Sequence, residues 1–263
     1  MVSRAEIELL LSNIPPLTHD VARAFLALQK GETAQAATLL ISQADIVAYF
    51  RKVVKSPLYG FRQTPTDLGQ ILSLLGSRQA YAMLTTYMST KIAPKAWKIF
   101  DLTTAQFLDF NTMLNKKWEA IVLHVVPHDS DHVMSAASLM GLSVAVAEGL
   151  LAAREEDINL LRRHGSFSIN NALLKLTEMT LFDIAADIAK IWEFDDDVIA
   201  LVKASGDGCM DQGGALAPWL HLLLFDTSLQ AQFCNTQINS LMHLNMDAIA
   251  PIGSIYQDIV QDL

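Results

Sequence analysis

Residues 45–60 read DIVAYFRKVVKSPLYG. Ile46, Phe50, Val53 and Val54, with Val47 beside them, recur at the i, i+4, i+7, i+8 spacing of one helical face. Asp45 stands in front of that face as a candidate cap, and the pattern breaks over residues 56–65. Moving outward, Thr66 precedes Leu68, Ile71, Leu72 and Leu75, and Gly76 follows where a left-handed C-terminal cap is wanted. Thr180 opens Phe182, Ile184, Ile188 and Ile191 in the same manner. Asp195, Asp196 and Asp197 open Val198, Ile199 and Val202, where three acids complement the positive end of a helix dipole. No segment alternates with the two-residue period of a strand. Further breaks fall at Pro15-Pro16, Pro94, 127–131 and 206–214, so the expected fold class is all-α.

The whole chain agrees with that pattern. Its 263 residues are 51% hydrophobic and 18% charged, with a mean hydropathy of +0.28. Such a composition excludes disorder, a collagen-like repeat and a disulfide scaffold. Only 12 Gly and 8 Pro are present, too few for the frequent turns of an all-β protein. Cys209 and Cys234 have no partner at metal-ligand spacing and read as reduced thiols of a cytoplasmic protein. Arg4, Glu6 and Glu8 interrupt the apolar start, which does not match a secretory signal. Residues 135–153 are the one stretch resembling a membrane span, with Glu148 its only charge. Serines and alanines dilute it, and it lacks aromatic or basic flanks on both sides, so it reads as a buried core helix. The formal charge of -9 divides unevenly: residues 1–131 hold 13 Lys/Arg and 11 Asp/Glu (+2), and residues 132–263 hold 6 and 17 (-11). An acidic chain of this kind is not expected to bind nucleic acid.

Few constellations carry chemistry. His128, Asp129, Asp131 and His132 are of ligand type for Zn, Mn or Fe, and they define an alternative metal site. The plainer reading is a turn after Pro127 in which Asp129, Ser130 or Asp131 caps the next helix. His19-Asp20 reads as a solvated helix start. No phosphate-binding glycine loop is present. Arg51, Lys52, Lys55 and Arg62, near Tyr59 and Phe61, form a basic cluster suited to an acidic partner face or a phosphorylated ligand.

The order of segments resembles a known family. Ile14-Pro15-Pro16-Leu17, then a helix, then residues 46–60 ending Ser56-Pro57-Leu58-Tyr59-Gly60, then Leu74-Leu75-Gly76, is similar to the HDOD domain, the HD-related output domain of bacterial signalling proteins. Lys55, Arg51 and Ile71 depart from its usual Asn, Leu and Ala. The resemblance covers about residues 10–205. It implies an all-α, multi-helix bundle of HD-domain/phosphodiesterase-like type, with residues 1–205 as the HDOD-like domain and 206–263 as C-terminal helices packed on it.

The same family is related to metal-dependent HD phosphohydrolases, in which His and Asp ligands hold metal ions that lower the pKa of an attacking water. The family's Gly-Leu-Leu-His-Asp segment matches residues 141–145, placing Val144 and Ala145 at the His-Asp pair. Leu181 falls at a later His, residues 203–206 at a His pair, and Ala120 at an upstream ligand. The resemblance therefore implies a non-catalytic bacterial signal-transduction module with a degenerate metal site and no cofactor. It would bind a signalling protein or small ligand through Arg51, Lys55, Ser56, Tyr59 and Arg62. The alternatives are a residual metal-dependent phosphohydrolase using His128, Asp129, Asp131 and His132, or a metal-free nucleotide or cyclic-dinucleotide sensor. No membrane association is expected, and the oligomeric state is left open.

Overall fold

The computed structural model describes residues 7, 14, 17–55, 65–126, 133–163, 167–206 and 214–261. Among the described residues the regular structure is helical, with no strand. The chain divides into two compact units, Pro16–Lys91 and Met1–Pro15 with Ile92–Leu263.

The smaller unit holds α1 (His19–Gln29), α2 (Thr33–Leu40), α3 (Ala44–Val54) and α4 (Leu68–Ile92). Thr18 caps α1 by accepting from the Val21 N–H. At its other end the Gly31 N–H bonds to Leu28 O and the Glu32 N–H to Ala27 O. That paired closure needs a left-handed residue, and Gly31 at φ 78° supplies it without a Cβ penalty. α1 then packs back on α2. Phe25 of α1 meets Tyr81 of α4 edge-on at 5.2 Å, and Tyr49 of α3 meets Tyr87 of α4 at 5.2 Å.

Two local expectations shift by a residue or two here. Gln43, not Asp45, occupies the N-cap of α3; Asp45 lies inside the first turn, where its carboxylate meets Lys91 Nζ and Tyr87 OH, each at 3.5 Å. At the start of α4 it is Asp67, not Thr66, whose side chain accepts from the Gln70 N–H at 3.1 Å. The helix end expected at Gly76 is present: at φ 76°, ψ 165° its backbone is non-helical, and α4 is two helices meeting at that kink. That backbone region is essentially open to glycine alone.

The larger unit is built around α6 (Ser135–Leu151), with α5 (Thr104–Val125), α9 (Leu181–Ile191), α10 (Asp196–Ala204) and α11 (Ala217–Ser228) packed against it. Every residue of α6 except Gly149 is buried. A helix apolar on all sides belongs inside a protein or a membrane. The stretch Ser135–Leu161 is long and apolar enough to cross a membrane, but its apolar window is 83% buried within the protein, as in a core helix. α9 is amphipathic instead: Leu181, Phe182, Ile184, Ala185, Ile188 and Ala189 are buried, while Lys190 is exposed. Its start is fixed by a reciprocal cap. The Asp183 N–H donates to Thr180 Oγ1 at 3.1 Å and the Thr180 N–H to Asp183 Oδ2 at 2.9 Å. α10 begins at an N-cap Asp195, with Asp196 and Asp197 in its first turn.

The remaining helices are α7 (Glu155–Leu161), α8 (Ile169–Thr177), α12 (Met246–Ile249) and α13 (Gly253–Val260). α13 lies on α5. Tyr256 of α13 donates to Asp226 Oδ2 at 2.8 Å, and the same oxygen takes Lys117 Nζ of α5 at 2.6 Å. The C-terminal helices are thus tied to the core of the larger unit by a buried polar cluster.

Candidate functional site

The positions aligned with metal ligands lie on α5, α6, α9 and the end of α10. Val144 and Ala145 are buried in the middle of α6, and Leu181 is fully buried at the first turn of α9. Ala120 is half-buried on α5. None of these four side chains carries a lone pair, so they do not fit a metal ion, and no reaction step can be drawn through one there. The Leu181 N–H is satisfied by Asn170 Oδ1 at 2.8 Å.

Around the end of α10 the polar groups are engaged with one another. Ser205 is buried, and its hydroxyl donates to Leu201 O at 2.8 Å. Its carbonyl lies 2.8 Å from Nδ1 of His221 on α11. The Asn245 N–H points at His221 Nε2 over 3.3 Å. A backbone N–H can only donate, so Nε2 accepts and Nδ1 carries the proton given to Ser205 O. The ring stacks on Phe182 with 6.0 Å between centroids. His221 is thereby a structural link joining α9, α10 and α11, with both nitrogens occupied.

Among the described residues, no three His, Cys, Asp or Glu side chains come together as a metal-holding group. His128, Asp129, Asp131 and His132 lie outside the described residues. So do Ser56, Tyr59 and Arg62 of the basic surface. Arg51 and Lys55 are exposed at the end of α3, where positive charge complements the helix dipole. Arg51 has a structural task as well, since its Nε–H donates to Thr66 O at 2.7 Å.

Two polar clusters in the larger unit were not anticipated from the sequence. Glu148, fully buried on α6, accepts from the N–H groups of Lys98 (2.6 Å), Ile99 (3.0 Å to one oxygen) and Phe100 (3.0 Å). Burial pushes its carboxyl pKa up, against the pull of these three donors and of the nearby Arg162. Burial likewise lowers the Arg162 pKa, opposed by Glu148, Asp101 and Glu155. The second cluster is Lys117, Asp226 and Tyr256. Burial drives the Tyr256 phenol above its ordinary range, reinforced by the Asp226 charge, so its hydroxyl remains a donor. The only sequence signal for the first cluster was a single acid in an apolar helix; the second had none.

Comparison with solved structures places this helical arrangement. The fold is similar to an HDOD domain protein with unknown function from Geobacter sulfurreducens, with TM-score 0.60, 12% identity, 97% of this chain and 88% of that chain covered. A protein from Shewanella amazonensis SB2B, carrying the provisional name metal-dependent phosphohydrolase, matches at TM-score 0.47 and 16% identity over 97% and 96%. No protein-family profile and no curated protein matches the chain. The chain therefore has an HDOD-like, all-α fold of the kind its sequence resembles. At such identities the likeness is one of fold alone.

Proposed function

We propose that this chain is a non-catalytic signal-transduction module of HDOD type, bacterial and cytoplasmic, which binds a protein partner or small ligand. One observation carries the reading: in an HDOD-like fold, Val144, Ala145 and Leu181 occupy buried core positions on α6 and α9. A phosphohydrolase of the HD kind needs several converging lone pairs at those positions to turn water into a nucleophile. Aliphatic side chains there supply packing instead. On this reading the HDOD-like domain spans residues 1–205 with 206–263 packed on it, and contact with the partner is made by the basic end of α3 and the residues that follow it in sequence. That surface comprises Arg51, Lys55, Ser56, Tyr59 and Arg62.

The test is elemental analysis of the purified protein together with a screen for hydrolysis of cyclic dinucleotides and nucleotide monophosphates. The expected result is no stoichiometric transition metal and no turnover. Bound metal near one equivalent that is lost on replacing His128 and His132 by Ala would overturn the proposal in favour of a residual phosphohydrolase. A melting temperature raised by a nucleotide, with no turnover, identifies the ligand as small rather than a protein.

A further inference from the structure

The segment from residue 93 to Thr103 has no regular secondary structure. It is also where the polypeptide re-enters the larger unit after the smaller one, which ends at Lys91. Trp97, Ile99, Phe100 and Leu102 of this connector are buried, so its backbone groups must find partners without a helix or sheet ladder.

Those partners are side chains and backbone groups from elsewhere in the unit. Glu148 of α6 gathers the Lys98, Ile99 and Phe100 N–H groups onto one carboxylate. Arg162, just beyond α7, donates from Nη2 to Ile99 O. The Gln237 N–H bonds to Phe100 O at 2.8 Å. Three successive N–H groups converge only if the backbone is bent into a cradle, and the next residue, Asp101, sits at φ 52°. That is an uncommon conformation for a residue with a Cβ, held here by its surroundings. The cradle has the donor geometry of a backbone anion receptor, filled by the protein's own carboxylate.

We propose that Glu148, with Arg162, is a positioning clamp that joins the connector to the core helix as one mechanical body. The buried apolar side chains hold the connector down but do not fix the direction of its backbone. The carboxylate and the guanidinium do, one through its N–H groups and the other through a C=O. Without the clamp, residues 98–102 regain freedom over roughly 17 Å of extended chain. With it, a displacement of the connector is passed to α6, whose Val144 lies one turn from Glu148. Glu148 is a positioning residue in this role, independent of whether the chain has a catalytic activity.

The experiment compares amide hydrogen exchange in the full-length protein and its Glu148→Gln and Arg162→Met variants, with tryptic cleavage after Lys98 as a second readout. Glu148→Gln keeps the side-chain shape but turns an NH2 group toward N–H donors. The expected result is exchange at least about tenfold faster at Lys98, Ile99 and Phe100, with α9 and α11 unchanged and new cleavage after Lys98. Unchanged exchange at the three amides overturns the clamp. Acceleration spread equally over α9 and α11 also overturns it, since that reports general loss of the core. Should Glu148→Gln fail to fold, Arg162→Met reads the same peptide from its other side, and the same two outcomes decide.

Discussion

Asn111 Oδ1 lies 1.6 Å from the position a Cβ on Gly141 would take. It therefore sits along a Cα–H bond of Gly141, and that contact accounts for a buried oxygen with no N–H or O–H partner. Asn111 cannot simply turn away, because its Nδ2 donates to Phe107 O at 2.9 Å. Gly141→Ala should consequently destabilise the protein by about 1–3 kcal/mol in chemical denaturation, the cost of forcing a side chain into a packed core. Asn111→Ala in the same chain should recover a substantial part of that loss, and strict additivity of the two changes would refute the contact. Glu148 makes a second prediction at this scale. Because burial raises its carboxyl pKa above the unfolded value, its folded form binds protons more readily than the unfolded chain. Its contribution is thus fully present below the unfolded carboxyl pKa and is lost as pH rises through the folded one. Relative to Glu148→Gln, the wild type should gain stability as pH falls through the folded carboxyl pKa toward the unfolded one. A gap that shrinks over that range would mean that the three N–H donors outweigh burial.

Helices α5, α11 and α13 meet at Asp226, and the energetics of that junction belong to the elements it joins. The Lys117 side chain is 9% exposed and that of Asp226 23%, so the pair is largely removed from water. Replacing Lys117 by Met leaves a mostly buried carboxylate with Tyr256 and Gln230 as its remaining donors. A loss of about 3 kcal/mol is expected in urea denaturation, at the low end for breaking a buried pair because Asp226 is partly wetted. Tyr256→Phe should cost no more than that, about 1.5–3 kcal/mol for a hydrogen bond to a charged group. Its deficit should narrow above about pH 10, where ionisation of Tyr256 in the unfolded wild type begins to favour unfolding. At this scale the sequence was readable where the signal is periodic and misleading where one residue decides. The apolar faces of α3 and α4 follow directly from spacing, as does that of α9 apart from Ile191, which is exposed, and the Thr180 cap is where it was expected. Asp45 and Thr66 were misassigned because several polar residues stand together at each helix start and their chemistry does not distinguish the cap from its neighbour. Gly76 marked a helix end, and the backbone is non-helical there before a second helix resumes.

For the whole molecule, composition and period were sufficient to give the all-α class and to place α6 in the core, because both are carried by the residues of each segment themselves. The candidate site was legible only as far as its positions on helices; Val144, Ala145 and Leu181 were placed by resemblance, and their joint burial needed the assembled helices. The clamp was illegible for a physical reason. Glu148 is met by backbone N–H groups 48 to 50 residues away, and a backbone donor has no residue type to read. Lys117 and Asp226 are 109 residues apart and give no local pattern. Net charge, by contrast, is a property of the entire sequence, and it supports one last expectation. At -9 overall, the chain has one basic cluster near its recognisable motif, Arg51, Lys52, Lys55 and Arg62. Four cations neutralise at most four phosphates, and each released counterion makes binding weaken about as the 0.9 power of salt concentration. The acidic remainder adds long-range repulsion. A short DNA duplex should therefore show no retardation with about 10 μM protein at physiological salt, where dedicated non-specific binders already associate. Retention that persists at that salt and vanishes when Arg51 and Lys55 are replaced by Ala would show instead that the basic end of α3 is a nucleic-acid surface.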